Sequence, residues 1–395
     1  MAAFWAPSAQ RCEQARITHY SQWLANRSEQ TRFADYASLW QWSVTDIEGF
    51  WESIWEYFEI TSPTPHSSVL EARKMPGAQW FKGAQVNYVQ QVFRHAGGDR
   101  PAILFADESG AEQELSWAEL ERQVAALAAS LRNMGVTSGD RVVAFLPNRP
   151  ETVVAFLACA SIGAIWSVCS PDMGAVSVLD RFRQIEPKVL IACDGYQYGG
   201  KTFSRVDVVE QIRNQLPTLQ QLIAIPVLGA DKAGAALQNA HQWADMLRAD
   251  TPLEFTWLPF DHPLWVVYSS GTTGMPKPIV HGHGGIILAM SVSLGLHNDL
   301  GPNDRYHWYS TTGWIMWNCQ VGGLLLGSTL CIFDGNPGYP DLGALWRFAG
   351  KTRTTLFGAG AAFYASCLKA GIVPNELADL SALKTVGSTG SPLAS

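Results

Sequence analysis

From Pro101 onward the apolar residues alternate between two patterns, an uninterrupted hydrophobic run and a helical spacing of three and four. Pro101 to Ala106 predicts a strand. Ser116 and Glu119 then form a capping box, and Leu120, Val124, Leu127, Leu131 and Met134 follow at helical steps until Gly135 stops them. Val142 to Leu146 predicts the next strand, followed by a helix from Val153 to Ile162, a strand from Ala164 to Ser170, a helix from Ala175 to Ile185 and a strand from Val189 to Cys193. Apolar strands alternating with helices predict a mostly parallel sheet covered on both faces. The pattern blurs over residues 226–262, where Ala, Gly and Pro accumulate, and resumes at Trp265. Strands are expected at Arg305 to Tyr309, Thr329 to Phe333, Thr354 to Phe357 and Thr385 to Val386. Helices are expected at Gly285 to Leu296, Leu342 to Ala349 and Ala361 to Ala370.

The expected fold is therefore α/β, with two stacked, doubly wound, mostly parallel sheets. The expected division is a helical cap over 1–95, a first subdomain over 96–260 and a second over 261–395. In the cap, Ile47, Phe50, Ile54 and Phe58 recur at helical spacing after a Thr45-x-x-Glu48 capping box, which predicts a packing helix.

Composition narrows the function classes. The chain has 395 residues, 47% of them hydrophobic and 16% charged, enough for a large core and more than one subdomain. A formal net charge of −7 argues against a nucleic-acid or anionic-membrane binder, so an anionic ligand must be met by local donors. The seven cysteines are scattered without a C-x-x-C pair, which makes metal and disulfide frameworks poor readings. No basic stretch leads into an apolar core at the N-terminus, and the uncharged stretch Thr152 to Pro171 is divided by Gly163 into a helix-like and a strand-like half. A cytoplasmic protein without a membrane span is the expectation.

The chemistry concentrates in Y-S-S-G-T-T-G-M-P-K-P, Tyr268 to Pro278. Trp265 to Val267 lead into it as a strand, so the loop should hang from a strand end, where α/β proteins bind ligands. Gly271 and Gly274 free the backbone to aim N–H groups at an anion. Ser269, Ser270, Thr272 and Thr273 add hydroxyl donors, and Lys277 adds a charge. The Walker P-loop places its lysine on an opening helix, whereas Pro276 and Pro278 should hold Lys277 in extended chain. A plain polar turn is the other alternative.

This loop resembles that of the adenylate-forming superfamily of acyl-CoA synthetases, luciferases and peptide-synthetase adenylation domains. Three further segments resemble the acetoacetate-CoA ligases within it: Val168 to Lys201, S-T-T-G-W-I-M-W-N from Ser310 to Asn318, and V-G-S-T-G-S-P-L from Val386 to Leu393. The cap resembles the N-terminal segment of acetyl- and acetoacetyl-CoA synthetases. The resemblance implies the N-terminal domain of such an enzyme, which joins acetoacetate, ATP and CoA through an acyl-adenylate with Mg2+.

By resemblance, Ser269, Ser270, Gly271, Thr272, Thr273, Gly274 and Lys277 contact the tail phosphates, with Lys277 and Thr272 catalytic and Thr272 also toward Mg2+. Pro278 departs from the family, which often has glycine after the lysine. Gly390, Ser391 and Pro392 would line adenine, with Ser391 where acetyl-CoA synthetases tend to carry an acid. Trp314, Ile315 and Met316 would form the acyl pocket opposite Thr389, although aromatics in such a stretch are more often core. Lys201, after Gly199 and Gly200, matches the region that meets the 3′-phosphate of CoA, with a solvated lysine as the alternative. His281 and His283 lack a third ligand nearby, which favours packing over metal binding. The family's Thr-Glu motif for Mg2+, its ribose-binding aspartate and the lysine of its C-terminal domain have no match before Ser395. The expectation is an incomplete enzyme lacking that domain and inactive by itself. A non-catalytic nucleotide-binding remnant and a ligase for acetate or propionate are the alternatives.

Overall fold

The structure is a computed structural model that describes residues 6–233, 236–269 and 274–392. Two sheets dominate it. The first runs, from edge to edge, through His241–Gln242, Gln221–Ile225, Val189–Cys193, Arg141–Phe145, Ile165–Cys169, Pro263–Ser269 and Lys277–Gly282. The second runs through Thr385–Thr389, Leu356–Gly360, Arg305–Trp308, Thr329–Asp334, Pro101–Asp107 and Glu112–Ser116. Every neighbouring pair is parallel except the pair at one edge of each sheet, Pro263–Ser269 with Lys277–Gly282 and Pro101–Asp107 with Glu112–Ser116.

The expected α/β architecture of mostly parallel sheets is present, but the sheets exchange strands across residue 260. The strand Pro101–Asp107 joins the second sheet, and Pro263–Ser269, which carries the candidate phosphate loop, joins the first. The strand period dictates that a segment is buried; it does not encode which neighbours it pairs with.

Side chains alternate along each strand and so divide the core into layers. Val142 and Ala144 point into a central cluster that also holds Ile103, Leu330 and Ile332 of the second sheet. Val143 and Phe145 point outward onto helices Ala175–Phe182 and Val206–Asn214. In the second sheet, Cys331 and Phe333 face helices Ala344–Lys351 and Ala361–Lys369. The helix Pro150–Ser161 is buried at every position but Glu151, as expected for one clamped in the central layer. Gly163 ends that stretch with φ +77°, and no helix among the described residues is long and apolar enough to cross a membrane.

The cap differs in detail. Helices Tyr36–Thr45 and Ile47–Tyr57 break at Asp46, whose carboxylate accepts from the Gly49 N–H at 3.1 Å. The expected cap Thr45 instead donates its hydroxyl back to the Gln41 carbonyl at 2.9 Å. Aspartate wins the site because an ionised acceptor satisfies a helix N-terminus better than a hydroxyl already engaged in the preceding turn. At the other expected box, Ser116 accepts from the Glu119 N–H at 3.1 Å, but the Glu119 carboxylate turns to Arg122 and Gln123.

Candidate active site

Both parallel sheets present their C-terminal strand ends to one crevice, the place where open α/β sheets receive ligands. A cavity of about 340 Å³ is lined by the segments following four strands: Pro147 and Asn148, Ser170 to Asp172, Tyr309 to Thr311, and Asp334 and Gly335. A second cavity of about 480 Å³ shares Tyr309, Ser310 and Thr311 and extends past Trp314 to Gly360 and Phe363.

The candidate phosphate loop stands at this end of the first sheet. Ser269 ends the strand Pro263–Ser269 and lies in register with Lys277, the first residue of the antiparallel strand Lys277–Gly282. Lys277 is therefore in extended chain, as its flanking prolines require, and is exposed. Gly274 has φ +144°, a conformation open to glycine. Ser270, Gly271, Thr272 and Thr273 lie outside the described residues. The loop's base is fixed from one helix: the Tyr268 hydroxyl donates to the Arg181 carbonyl at 2.9 Å, and the Arg181 guanidinium sits 5.8 Å from the Tyr268 ring centre. Burial pushes the Tyr268 phenol far above its usual range, so it acts as a neutral donor. Gln184, after the same helix, donates to the Pro276 carbonyl at 2.9 Å.

The candidate acyl and adenine segments meet at the second sheet. Trp314 is 37% exposed and lines the larger cavity, and a Cβ on Gly390 would approach its indole to 4.0 Å. Gly390 has φ +91° and follows Thr389 at the end of the last strand, which pairs with Gly360. Ser391 and Pro392 are exposed just beyond. Ile315 is also exposed, whereas Met316 packs partly against the central core. Trp317 is fully buried and donates its indole N–H to Asn148 at 3.1 Å. A small cavity of about 40 Å³ is bounded by both Tyr268 and Gly313, so the two candidate segments are neighbours.

Lys201 is exposed, beside the turn of a hairpin, Gly195–Tyr198 with Lys201–Ser204, that overhangs the crevice. The two histidines are packing residues. His281 Nδ1 accepts from the Trp265 indole at 2.9 Å, and His283 Nδ1 from the Tyr88 N–H at 3.1 Å. Burial pushes the His283 imidazole down to about 3, which keeps it neutral. The sequence reading missed Asn148 and Asp334, which line the crevice, Glu108, which holds the hairpin, and Arg149, which pairs with Asp107 at 3.4 Å; each lies at or just past a strand end, with no spacing pattern to mark it.

The family model for AMP-binding enzymes matches residues 89–395. The chain belongs to the AMP-binding enzyme family. A second model, for the acetyl-coenzyme A synthetase N-terminus, matches residues 36–92, the aromatic-rich cap of this AMP-binding enzyme. Among curated relatives, acetoacetyl-coenzyme A synthetase of Rhizobium meliloti (strain 1021) is 38% identical over 394 residues, which cover 98% of this chain and 60% of that protein. Acetoacetyl-CoA synthetase of Danio rerio is 36% identical over 98% of this chain and 59% of its own length. The solved structure of acetoacetyl-CoA synthetase from Streptomyces lividans superposes with a TM-score of 0.96 at 49% identity, over 100% of this chain and 60% of that one. This AMP-binding enzyme chain thus spans about 60% of the length of the relatives it matches.

Proposed function

We propose that the full-length protein is an AMP-forming acid–thiol ligase that converts acetoacetate, ATP and CoA to acetoacetyl-CoA, AMP and pyrophosphate. The observation that carries the reading is a chain of neighbours: Tyr268, at the base of the Lys277 hairpin, bounds one small cavity with Gly313, and the next residue, Trp314, lies beside the Gly390 turn. In the first step a carboxylate oxygen attacks the α-phosphorus, the bond to pyrophosphate breaks, and acyl-adenylate forms. In the second, the CoA thiolate attacks the acyl carbon and AMP leaves. Such chemistry asks the protein for positioning and for positive charge at the phosphates.

Lys277, exposed at the mouth of its hairpin, would face the β- and γ-phosphates together with Ser269, Ser270, Gly271, Thr272, Thr273 and Gly274. Gly390, Ser391 and Pro392 would bound adenine, Trp314, Ile315, Met316 and Thr389 the acyl group, and Lys201 the 3′-phosphate of CoA. Mg2+ would neutralise phosphate charge. In this chain the resemblance points to Thr272 as its contact, beside the nucleotide's own oxygens. Acetoacetate is favoured by the names of the relatives and by Met316, which suits a keto-acid larger than acetate. The net charge of −7 suits small anionic substrates met locally rather than nucleic acid, and cytoplasmic residence fits the same reading.

Pyrophosphate exchange into ATP by the full-length protein, with acetoacetate, acetate and propionate compared, tests the proposal. Acetoacetate should support the fastest exchange; exchange with acetate alone would overturn the substrate, and no exchange with any acid would overturn the activity.

A further inference from the structure

The hairpin Gly195–Tyr198 with Lys201–Ser204 leaves the first sheet after Val189–Cys193, yet its tip is tied to the second sheet through one side chain. Tyr198 and Lys201 are in register, so the turn is Gly199-Gly200, with φ +62° and +76°. Two positive φ values make the tight hairpin turn for which glycine is suited, and they aim both turn N–H groups the same way. Both are taken by Glu108: Gly199 donates to Oε2 at 2.8 Å and Gly200 to Oε1 at 2.9 Å. The same Oε2 accepts from the Asn336 N–H at 2.8 Å.

Glu108 itself follows the second-sheet strand Pro101–Asp107, and its N–H donates to the Asp334 carbonyl at 3.0 Å. The surroundings are cut to fit this carboxylate. Gly335 has φ +126°, and a Cβ there would stand 2.7 Å from the Glu108 Cβ; a Cβ on Gly200 would stand 2.8 Å from the Tyr339 ring. One carboxylate thus receives three backbone N–H groups from two segments, the turn of the separate hairpin and the chain just after a second-sheet strand. Hydrogen bonds to an ionised acceptor are the stronger kind.

Two consequences follow for the crevice. The turn's backbone donors, arranged as they would be for a phosphate, are already filled, so a ligand anion at this tip is left with side-chain donors, of which the exposed Lys201 carries the charge. Tyr196, Gln197 and Tyr198 form one wall of the 340 Å³ cavity, held at its tip by Glu108 and at Tyr196 by the Arg205 guanidinium, which donates to the phenol oxygen at 3.0 Å. We propose that Glu108 is a positioning residue for the thiol half of the reaction, fixing the hairpin as the wall against which the CoA co-substrate binds. This rests on the ligase reading above. Lys277 and Gly390, which serve the adenylation half, are carried by other strands, and the clasp reaches the 480 Å³ cavity only through Asn336.

The test uses Glu108→Ala and the milder Glu108→Gln in the full-length protein. Amide hydrogen exchange over 195–204 and 335–339 should speed up by about tenfold or more in Glu108→Ala, and less in Glu108→Gln, which keeps one carbonyl acceptor. The KM for CoA should rise roughly tenfold, while acid-dependent pyrophosphate exchange stays within about twofold of wild type. Unchanged amide exchange overturns the clasp. A loosened hairpin with an unchanged KM for CoA overturns the positioning role, as does an equal fall in both half-reactions, which marks a merely structural residue. Should wild type catalyse no pyrophosphate exchange with any acid, the ligase reading fails, and amide exchange alone then decides the clasp. Lys201→Ala separates the two further: an unchanged KM for CoA in that variant counts against Lys201 as the phosphate contact and leaves the Glu108 result standing.

Discussion

Gly387 lies against the indole of Trp308, and a Cβ added to Gly387 would stand 2.5 Å from the ring. Trp308, Gly358 and Gly387 are in register across three adjacent parallel strands, so the indole spreads over two positions without side chains. The strand Thr385–Thr389 leads directly into Gly390, and this packing sets how far the turn stands from Trp314. Gly387→Ala should therefore overpack the sheet and cost about 1–3 kcal/mol. Because Phe lacks the outer ring atoms that crowd Gly387, Trp308→Phe should return part of that loss in the double variant. Urea unfolding of the four proteins in this cycle measures it. An equal cost of Gly387→Ala in both backgrounds would show that the crowding is relieved elsewhere.

The strands of the buried sheets were legible in the sequence because they are covered on both faces, which leaves unbroken apolar runs such as Val142 to Leu146 and Val189 to Cys193. Sheet membership was not legible: Pro101–Asp107 with Glu112–Ser116, and Pro263–Ser269 with Lys277–Gly282, each lie in the sheet opposite to the other long strands of their half of the sequence, a choice made by long-range packing. Within Trp314 to Trp317 composition could not separate roles, yet the first indole is 37% exposed at a cavity and the last is fully buried on Asn148. Glu108 carried no signal of its own, but its partner did: Tyr-Gly-Gly-Lys, 198 to 201, marks a two-residue hairpin whose N–H groups need an acceptor. The acceptor's identity depends on a contact spanning 91 residues, which local pattern cannot supply.

Lys277→Ala in the full-length protein should slow the adenylation half-reaction by about 100-fold or more, the usual cost of removing one electrostatic donor. Thioester formation from supplied acyl-adenylate should change far less, since pyrophosphate has gone by then. Lys277 is exposed at the first position of an edge strand, so its loss leaves no buried charge unpaired and should leave unfolding within about 0.5 kcal/mol. Equal losses in the two half-reactions would assign Lys277 to the fold instead.

Asp334 ends the strand Thr329–Asp334 and faces the 340 Å³ cavity. Burial pushes its carboxyl up to about 7; Arg149 draws it back, and Asp107, Glu108 and Glu151 push it further up. The folded chain then keeps this proton through the window from about pH 4 to 7 in which the unfolded chain has lost it. Its contribution is full below the unfolded value and is lost as pH rises through the folded one. Asp334→Asn mimics the protonated form and removes that slope, so the variant should gain on wild type between pH 4 and 7, by at most a few kcal/mol. Chemical unfolding at pH 4, 5.5 and 7 checks this. Parallel stability curves would mean that Asp334 is ionised throughout.

The exposure of Trp314 decides how the acyl pocket is best probed. Removing a large buried ring costs roughly 3–5 kcal/mol and can mimic a catalytic defect, a risk that applies to Trp317. Trp314 is 37% exposed and loses little core packing on truncation, whereas Met316 leans on the central cluster. In the full-length protein Trp314→Ala should therefore admit bulkier acids at little cost in stability. One methylene of contact discriminates by about 1–3 kcal/mol, so the preference for acetoacetate over a branched or longer acid should fall at least tenfold. Met316→Ala is the contrasting variant: if Met316 bounds the acid it should shift the same ratio, and if it only fills the core it should lower stability and leave the ratio alone. The measurement is kcat/KM for acetoacetate, acetate and a branched acid in wild type and both variants, with unfolding followed in parallel. A ratio unmoved by Trp314→Ala in a stable protein would remove Trp314 from the acyl pocket and leave it a wall of the neighbouring 480 Å³ cavity alone.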